Sequence, residues 1–245
     1  MSTNKKISIK KFVENIGDLS NISFQDEVKL SSKQQYILSK WANNRLNVCV
    51  HSRQTGGSLL GILYALYDLF INKHNVIFLC NKQSNCEQIL ETILRIIEKS
   101  PYLKSTPILK LLKKTDSYIE FNNGARINIL SMRKTYICGI LAHTLIIDNI
   151  DYAPNSEEFF EAVIPIIIGS TQNKLIMYGT PKDKNSLLNT LYENPDNTCS
   201  KTKILWNEVF NRDAEWKTEM MQMFGWSCDK KLAQSIWNKE YALKY

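Results

Sequence analysis

Three short stretches of this 245-residue chain carry residue types that phosphate chemistry uses: SRQTGGS (52–58), DNID (148–151) and YGTP (178–181). A phosphate-binding loop needs glycines so that backbone N–H groups can wrap the anion. It also needs a lysine to reach the β and γ phosphates and a serine or threonine for magnesium. The first stretch offers Gly56 and Ser58 but has Gly57 where the lysine belongs. The second closes an apolar run, LIID, on Asp148, as a magnesium-binding strand does. It then gives Asn149 where a neighbouring acid would orient an attacking water. A glycine-rich turn between a strand and a helix is by itself an ordinary connection; the ordered set of three strand ends is what carries the reading.

The flanking segments predict how these ends are positioned. SSKQQYILSKWANN (31–44) reads as a helix capped by a serine, followed by NVCV (47–50) as a buried strand. LLGILYALYDLFI (59–71) is apolar enough for a covered helix, and residues 75–101 read as strand, polar turn and a helix that stops before Pro101. Asn123-Gly124 between two alternating runs, within 118–130, predicts a hairpin. HTLIIDN and KLIMYG read as two more buried strands, KTKILWNEV (201–209) as a further strand, and the tail as two helices. Continuous apolar strands separated by helices predict an α/β fold with a mainly parallel sheet covered on both faces. In such sheets ligands bind at the carboxyl ends of strands, against helix N-termini. Residues 1–27 are expected to be a flexible or loosely packed lead-in, 28–210 the main domain, and 211–245 a small helical appendage of it.

Composition narrows the classes. No apolar run approaches the roughly 20 residues that span a bilayer, and MSTNKKISIKK is not followed by a signal-type stretch, so a soluble, cytosolic setting is expected. Six scattered cysteines without a CxxC pair, and three histidines, support neither a zinc site nor a disulfide framework. A net charge of +7 is compatible with a polyanionic partner, but it is spread along the chain, and Lys33, Lys40, Lys182 and Lys184 read as solvated surface. His51 and His143 have no acid and serine to work with and read as structural. Trp216, Trp226 and Trp237 read as core packing rather than a stacking platform for bases.

Taken together, the motifs resemble the ATPase domain of tailed-bacteriophage terminase large subunits, the DNA-packaging motors. KQQYILSKW looks like the family's Q motif, VCVHSRQTGGSL like its deviant Walker A segment, and GILAHTLIIDNIDYAPN like Walker B running into its Pro-Asn turn. LIMYGTP is similar to the coupling motif, FNNGARINIL to the hairpin, and AQSIWNKEYAL to the closing helix. The resemblance implies a P-loop fold that binds ATP and Mg²⁺. It places Gln34 at adenine, and Ser52, Arg53, Gln54, Gly56, Gly57, Ser58 and Thr180 around the nucleotide. Ser58 and Asp148 fall on the metal, and Arg53, Asp148 and Asn149 on the catalytic positions, with Arg53 matching a cis arginine finger. It further implies double-stranded DNA, a viral portal or procapsid and other terminase subunits as partners, in a host cytoplasm. The nuclease half of the family has no counterpart in these residues.

Four departures bear on activity: Gly57 for the phosphate lysine, Asn149 for the catalytic glutamate, Cys138 before Gly139 for an arginine, and Tyr178-Gly179 interrupting a threonine run. Losing a preorganised contact of the lysine's kind costs roughly 3–4 kcal/mol, and losing general-base help about 100-fold in rate. The expectation is therefore a slow or dead ATPase. Its alternatives are a terminase-like scaffold that regulates a motor or binds DNA, or one piece of a split terminase. Asp151 is a candidate substitute for the missing carboxylate, and Arg53 or a neighbouring lysine, of this chain or of another subunit, for the missing cation.

Overall fold

The computed structural model describes residues 7–17, 29–105, 111–115, 117–133, 140–227 and 230–245. Eight strands form one sheet: β1 (Leu46–His51), β2 (Val76–Cys80), β3 (Leu111–Lys114), β4 (Tyr118–Phe121), β5 (Arg126–Ser131), β6 (Thr144–Asp148), β7 (Lys174–Gly179) and β8 (Ser200–Ile204). Their order is β3-β4-β5-β2-β6-β7-β1-β8, parallel from β5 to β8, with β3, β4 and β5 joined antiparallel at one edge. Every residue of β2 and β6 is buried, as a strand covered on both faces requires, whereas β4 and β5 alternate. The expected hairpin joins β4 to β5, with Gly124 at φ 81° completing its turn. The further strand expected near residue 201 is β8, paired parallel with β1.

Two apolar layers sandwich the sheet, and alternate strand residues feed each one. Cys49, Phe78, Ile146 and Tyr178 face helices α2 (Ser32–Asn43), α3 (Gly57–Tyr67) and α4 (Gln83–Lys99). Val50, Leu79, Ile147 and Met177 face α6 (Ser156–Ile168) and α7 (Leu187–Glu193). Ser31 caps α2 in a reciprocal capping box with Gln34. The tail supplies α8 (Ala214–Ser227) and α9 (Lys230–Glu240). Trp237 is buried there against Trp206 and Tyr241, Trp216 packs beside them half-buried, and the Trp226 side chain lies outside the described residues. Among the described residues no helix is long and apolar enough to cross a membrane.

The lead-in departs from expectation. Residues 9–16 form helix α1 (Ile9–Ile16), capped by Ser8, and its Ile9, Phe12 and Ile16 are buried; residues 1–6 and 18–28 lie outside the described residues. Spacings of three and four place these side chains on one face, and Phe12 meets Tyr67 of α3 and Tyr102 of α5 (Pro101–Ser105) edge-on. A loosely packed segment would not insert a fully covered phenylalanine between two elements. Phe12→Ala is expected to lower unfolding stability by about 3–5 kcal/mol, read from denaturant midpoints; a loss under about 1 kcal/mol would separate α1 from the cooperative core.

Candidate nucleotide site

The three strand ends converge because β7 lies between β1 and β6. Thr180, just past β7, fastens the other two: its hydroxyl donates to the His51 carbonyl at 2.8 Å, and its N–H donates to Asn149 Oδ1 at 3.2 Å. Beyond β1 the chain makes a tight loop and enters α3 at Gly57. Gln54 (φ 58°) and Gly56 (φ 81°) take left-handed conformations, the first of them unusual for a residue with a side chain. The loop thereby presents the unpaired N–H groups of the first turn of α3 to a cavity of about 590 Å³, within the usual size of a small-molecule site.

Of the residues singled out from the sequence, Arg53, Gln54, Gly56, Gly57, Ser58, Asn149 and Thr180 line this cavity. Gln34, Ser52 and Asp148 stand behind its wall. The Gln34 amide accepts from Ser31 N–H at 2.8 Å and donates to the Thr55 carbonyl at 2.9 Å, so it braces the loop from α2. Ser58 donates to Asp148 Oδ2 at 2.7 Å, and Asn149 Nδ2 donates to Oδ1. These hard oxygens, a hydroxyl and a carboxylate at hydrogen-bond distance, are the donor types that Mg²⁺ takes. Asp151 is directed elsewhere: its two oxygens accept from Lys182 N–H (3.1 Å) and Leu188 N–H (2.8 Å), which holds the turn after β7. It therefore cannot act as the substitute carboxylate in this arrangement. Cys138 and Gly139 lie outside the described residues.

The departures from the family pattern fit one another. A Cβ on Gly57 would fall on the His51 ring, and one on Gly61 on the Tyr178 hydroxyl, both well inside the 3.0 Å that real Cβ atoms keep. A Cβ on Gly179 would meet Asn149 Oδ1 at 2.8 Å. Two rings from the sheet thus occupy space that side chains on α3 would need, and Trp41 stacks on Tyr178 behind them at 5.5 Å. Asn149 itself sits at φ 59°, ψ 57°, a left-handed conformation that asparagine tolerates better than glutamate does.

The loop is also held from the C-terminal tail. Arg53 N–H donates to the Glu240 carbonyl at 2.9 Å, its guanidinium pairs with the Glu240 carboxylate and reaches the Tyr152 hydroxyl, and Ser52 Oγ donates to the Tyr241 carbonyl. Arg212 adds a bond to the Gln54 carbonyl at 2.7 Å. Six cavity residues escaped the sequence reading as members of the site: His51, Leu59, Asn81, Asn85, Tyr152 and Tyr241. Asn81 and Asn85 follow β2, where a polar turn after a buried strand was a usable signal. Tyr241 is 188 positions from Arg53, and nothing local announces their meeting.

Burial drives the Asp148 carboxyl up to about 6, against the Ser58 and Asn149 hydrogen bonds that favour its charged form. Below its unfolded value both states hold the proton; between that value and about 6 only the folded state does, so stability falls as pH rises through this window. Relative to Asp148→Asn, the wild type is expected to gain about 1 kcal/mol from pH 7 to pH 5 without Mg²⁺. Thermal melts of both proteins across that range test this, and an equal pH slope in the two would show that Asp148 does not titrate there.

Residues 48–223 match the family model described as terminase large subunit, T4likevirus-type, N-terminal. Among solved structures, a mutant of the large terminase ATPase domain of Thermus phage P74-26 superposes with a TM-score of 0.68 at 14% identity, over 92% of this chain and 97% of that one. The large terminase of bacteriophage HK97 gives 0.65 at 13% identity over 87% and 47%. That of a thermophilic bacteriophage, in complex with ADP, gives 0.64 at 13% over 80% and 50%. The chain thus spans nearly all of an isolated ATPase domain and about half of the longer large terminases. With the family model matched over more than half of its length, the chain belongs to the terminase large subunit family, in its N-terminal, ATPase-type part.

Proposed function

We propose that this protein binds ATP with Mg²⁺ in the cavity between the β1–α3 loop and the ends of β6 and β7, and hydrolyses it slowly or not at all. Gln34 braces the loop near the base, residues 52–58 cradle the phosphates, Ser58 and Asp148 hold the metal, and Thr180 links the nucleotide's surroundings to β7. Arg53 lies at the cavity mouth, where an arginine could approach a γ-phosphate once released by Glu240. The bound metal would supply charge neutralisation on the phosphates. In the family setting the partners are double-stranded DNA, a viral portal or procapsid and other terminase subunits, inside a host cell. The ADP complex of a relative supports the binding half of the proposal.

The impaired half rests on one observation, the ring of His51 against Gly57. No lysine can be added there without displacing a buried side chain, so the loss is built into the packing rather than being a single missing atom set. Asn149, clipped between Asp148 and Thr180, offers an amide where a base would have to take a proton.

Calorimetry with ATP and Mg²⁺, run beside a phosphate-release assay, is expected to show binding with little turnover. Gly57→Lys alone is expected to lose stability and gain no hydrolysis, while His51→Gly, Gly57→Lys and Asn149→Glu combined raise turnover at least about 100-fold. Rapid hydrolysis by the unaltered protein would refute the impairment, and rescue by Gly57→Lys alone would refute its packing cause.

A further inference from the structure

Resting on the nucleotide-binding reading, we propose that His51 takes the place of the missing lysine as the phosphate-contacting cation of this site. The ring is more than nine-tenths buried, and its Nε2 lies against Gly57, where the side chain of residue 57 would begin. Its other nitrogen is committed. Nδ1 is 2.8 Å from the Ser52 carbonyl, which can only accept, so Nδ1 carries a proton there. Nε2, fully enclosed, has no hydrogen-bond partner among the described residues. A buried polar nitrogen left unsatisfied is costly, and the cavity that His51 lines is the one onto which the first turn of α3 opens.

A phosphate group answers this chemistry. Burial holds the imidazole below its ordinary value, so the ring is neutral before an anion enters. Phosphate oxygens only accept, so the contact requires the start of α3 to draw off the enclosed Nε2 and a proton to be taken there from solvent as the anion enters. The ring then carries one positive charge and donates from both nitrogens. Lysine brings the same charge on a flexible stem. The imidazole brings it already fixed by Ser52 and Thr55, whose hydroxyl lies 3.3 Å from Nδ1. Gly57 then has a positive role: only a residue without a side chain lets the ring stand this close to the amides that hold the phosphate.

The test uses the full chain labelled with ¹⁵N at histidine, ADP with Mg²⁺ as ligand, and calorimetry in parallel. The chain has three histidines, and the other two stack on each other at 4.7 Å, His74 on His143, so the His51 signals are separable. Adding ADP is expected to move the His51 Nε2 resonance from the unprotonated to the protonated range. His51→Phe, which keeps a ring but no donor, is expected to weaken ADP binding by about tenfold or more, and His51→Gln to recover part of the loss. An Nε2 resonance unmoved by bound ADP overturns the proposal while leaving nucleotide binding intact, as does a folded His51→Phe that binds ADP as tightly as the wild type. Should the phenylalanine variant not fold, the resonance of the unaltered protein decides. A wild type that binds no ADP overturns both this inference and the reading beneath it.

Discussion

Helix α3 lies so close to the ends of β1 and β7 that positions 57 and 61 have no room for a side chain while the rings opposite them stay in place. Gly57 and Gly61 are one helical turn apart on that face, and opposite them stand His51 and Tyr178. Dense interiors permit little compromise over volume, so the helix and the rings are mutually specified. Replacing either glycine means moving a ring; shrinking either ring leaves a void beneath the start of α3. The loop's backbone course, the entry angle of α3 and the alignment of Ser58 with Asp148 all follow from that contact.

The same constraint separates what could be read along the chain from what could not. Buried strands announce themselves by composition, as VIFLC and LIID do, and the β4–β5 turn by Asn123-Gly124. Ser31 marks the start of α2 because a serine oxygen satisfies an N–H group three residues on. Helix α1 is not legible in the sequence, since three apolar residues among charged neighbours are a weak signal; their burial is decided by the groove that Tyr67 and Tyr102 offer. The reciprocity of Gly57 with His51, and of Gly179 with Asn149, joins residues on different elements, and no local pattern encodes it. Asp151 illustrates the converse error. Its proximity to Asp148 in sequence suggested shared chemistry, yet the short helical turn at 150–152 carries its carboxylate away to the backbone after β7.

Asp148 brings the electrostatic side of the design into view. A carboxylate enclosed by the sheet ends and satisfied, among the described residues, by Ser58 and Asn149 is under-neutralised, which is why burial dominates its titration. That tension is expected of a group arranged to meet a cation. Asn149 is consistent with the same economy: as a neutral donor to Asp148 it relieves charge in a place where a second carboxylate would add it.

The grip of the tail on the loop has a mechanical meaning. Glu240 and Tyr241 close a chain segment of nearly two hundred residues directly onto Ser52 and Arg53, and Tyr245 reaches the Pro181 carbonyl at 3.1 Å. Displacing the segment 240–245 would therefore act on the β1–α3 loop through these polar bonds and, through the buried Leu243, on the apolar layer that α6 and α7 cover. Two stretches nearly two hundred residues apart, the β1–α3 loop and the segment that follows α9, thus form one wall of the same cavity.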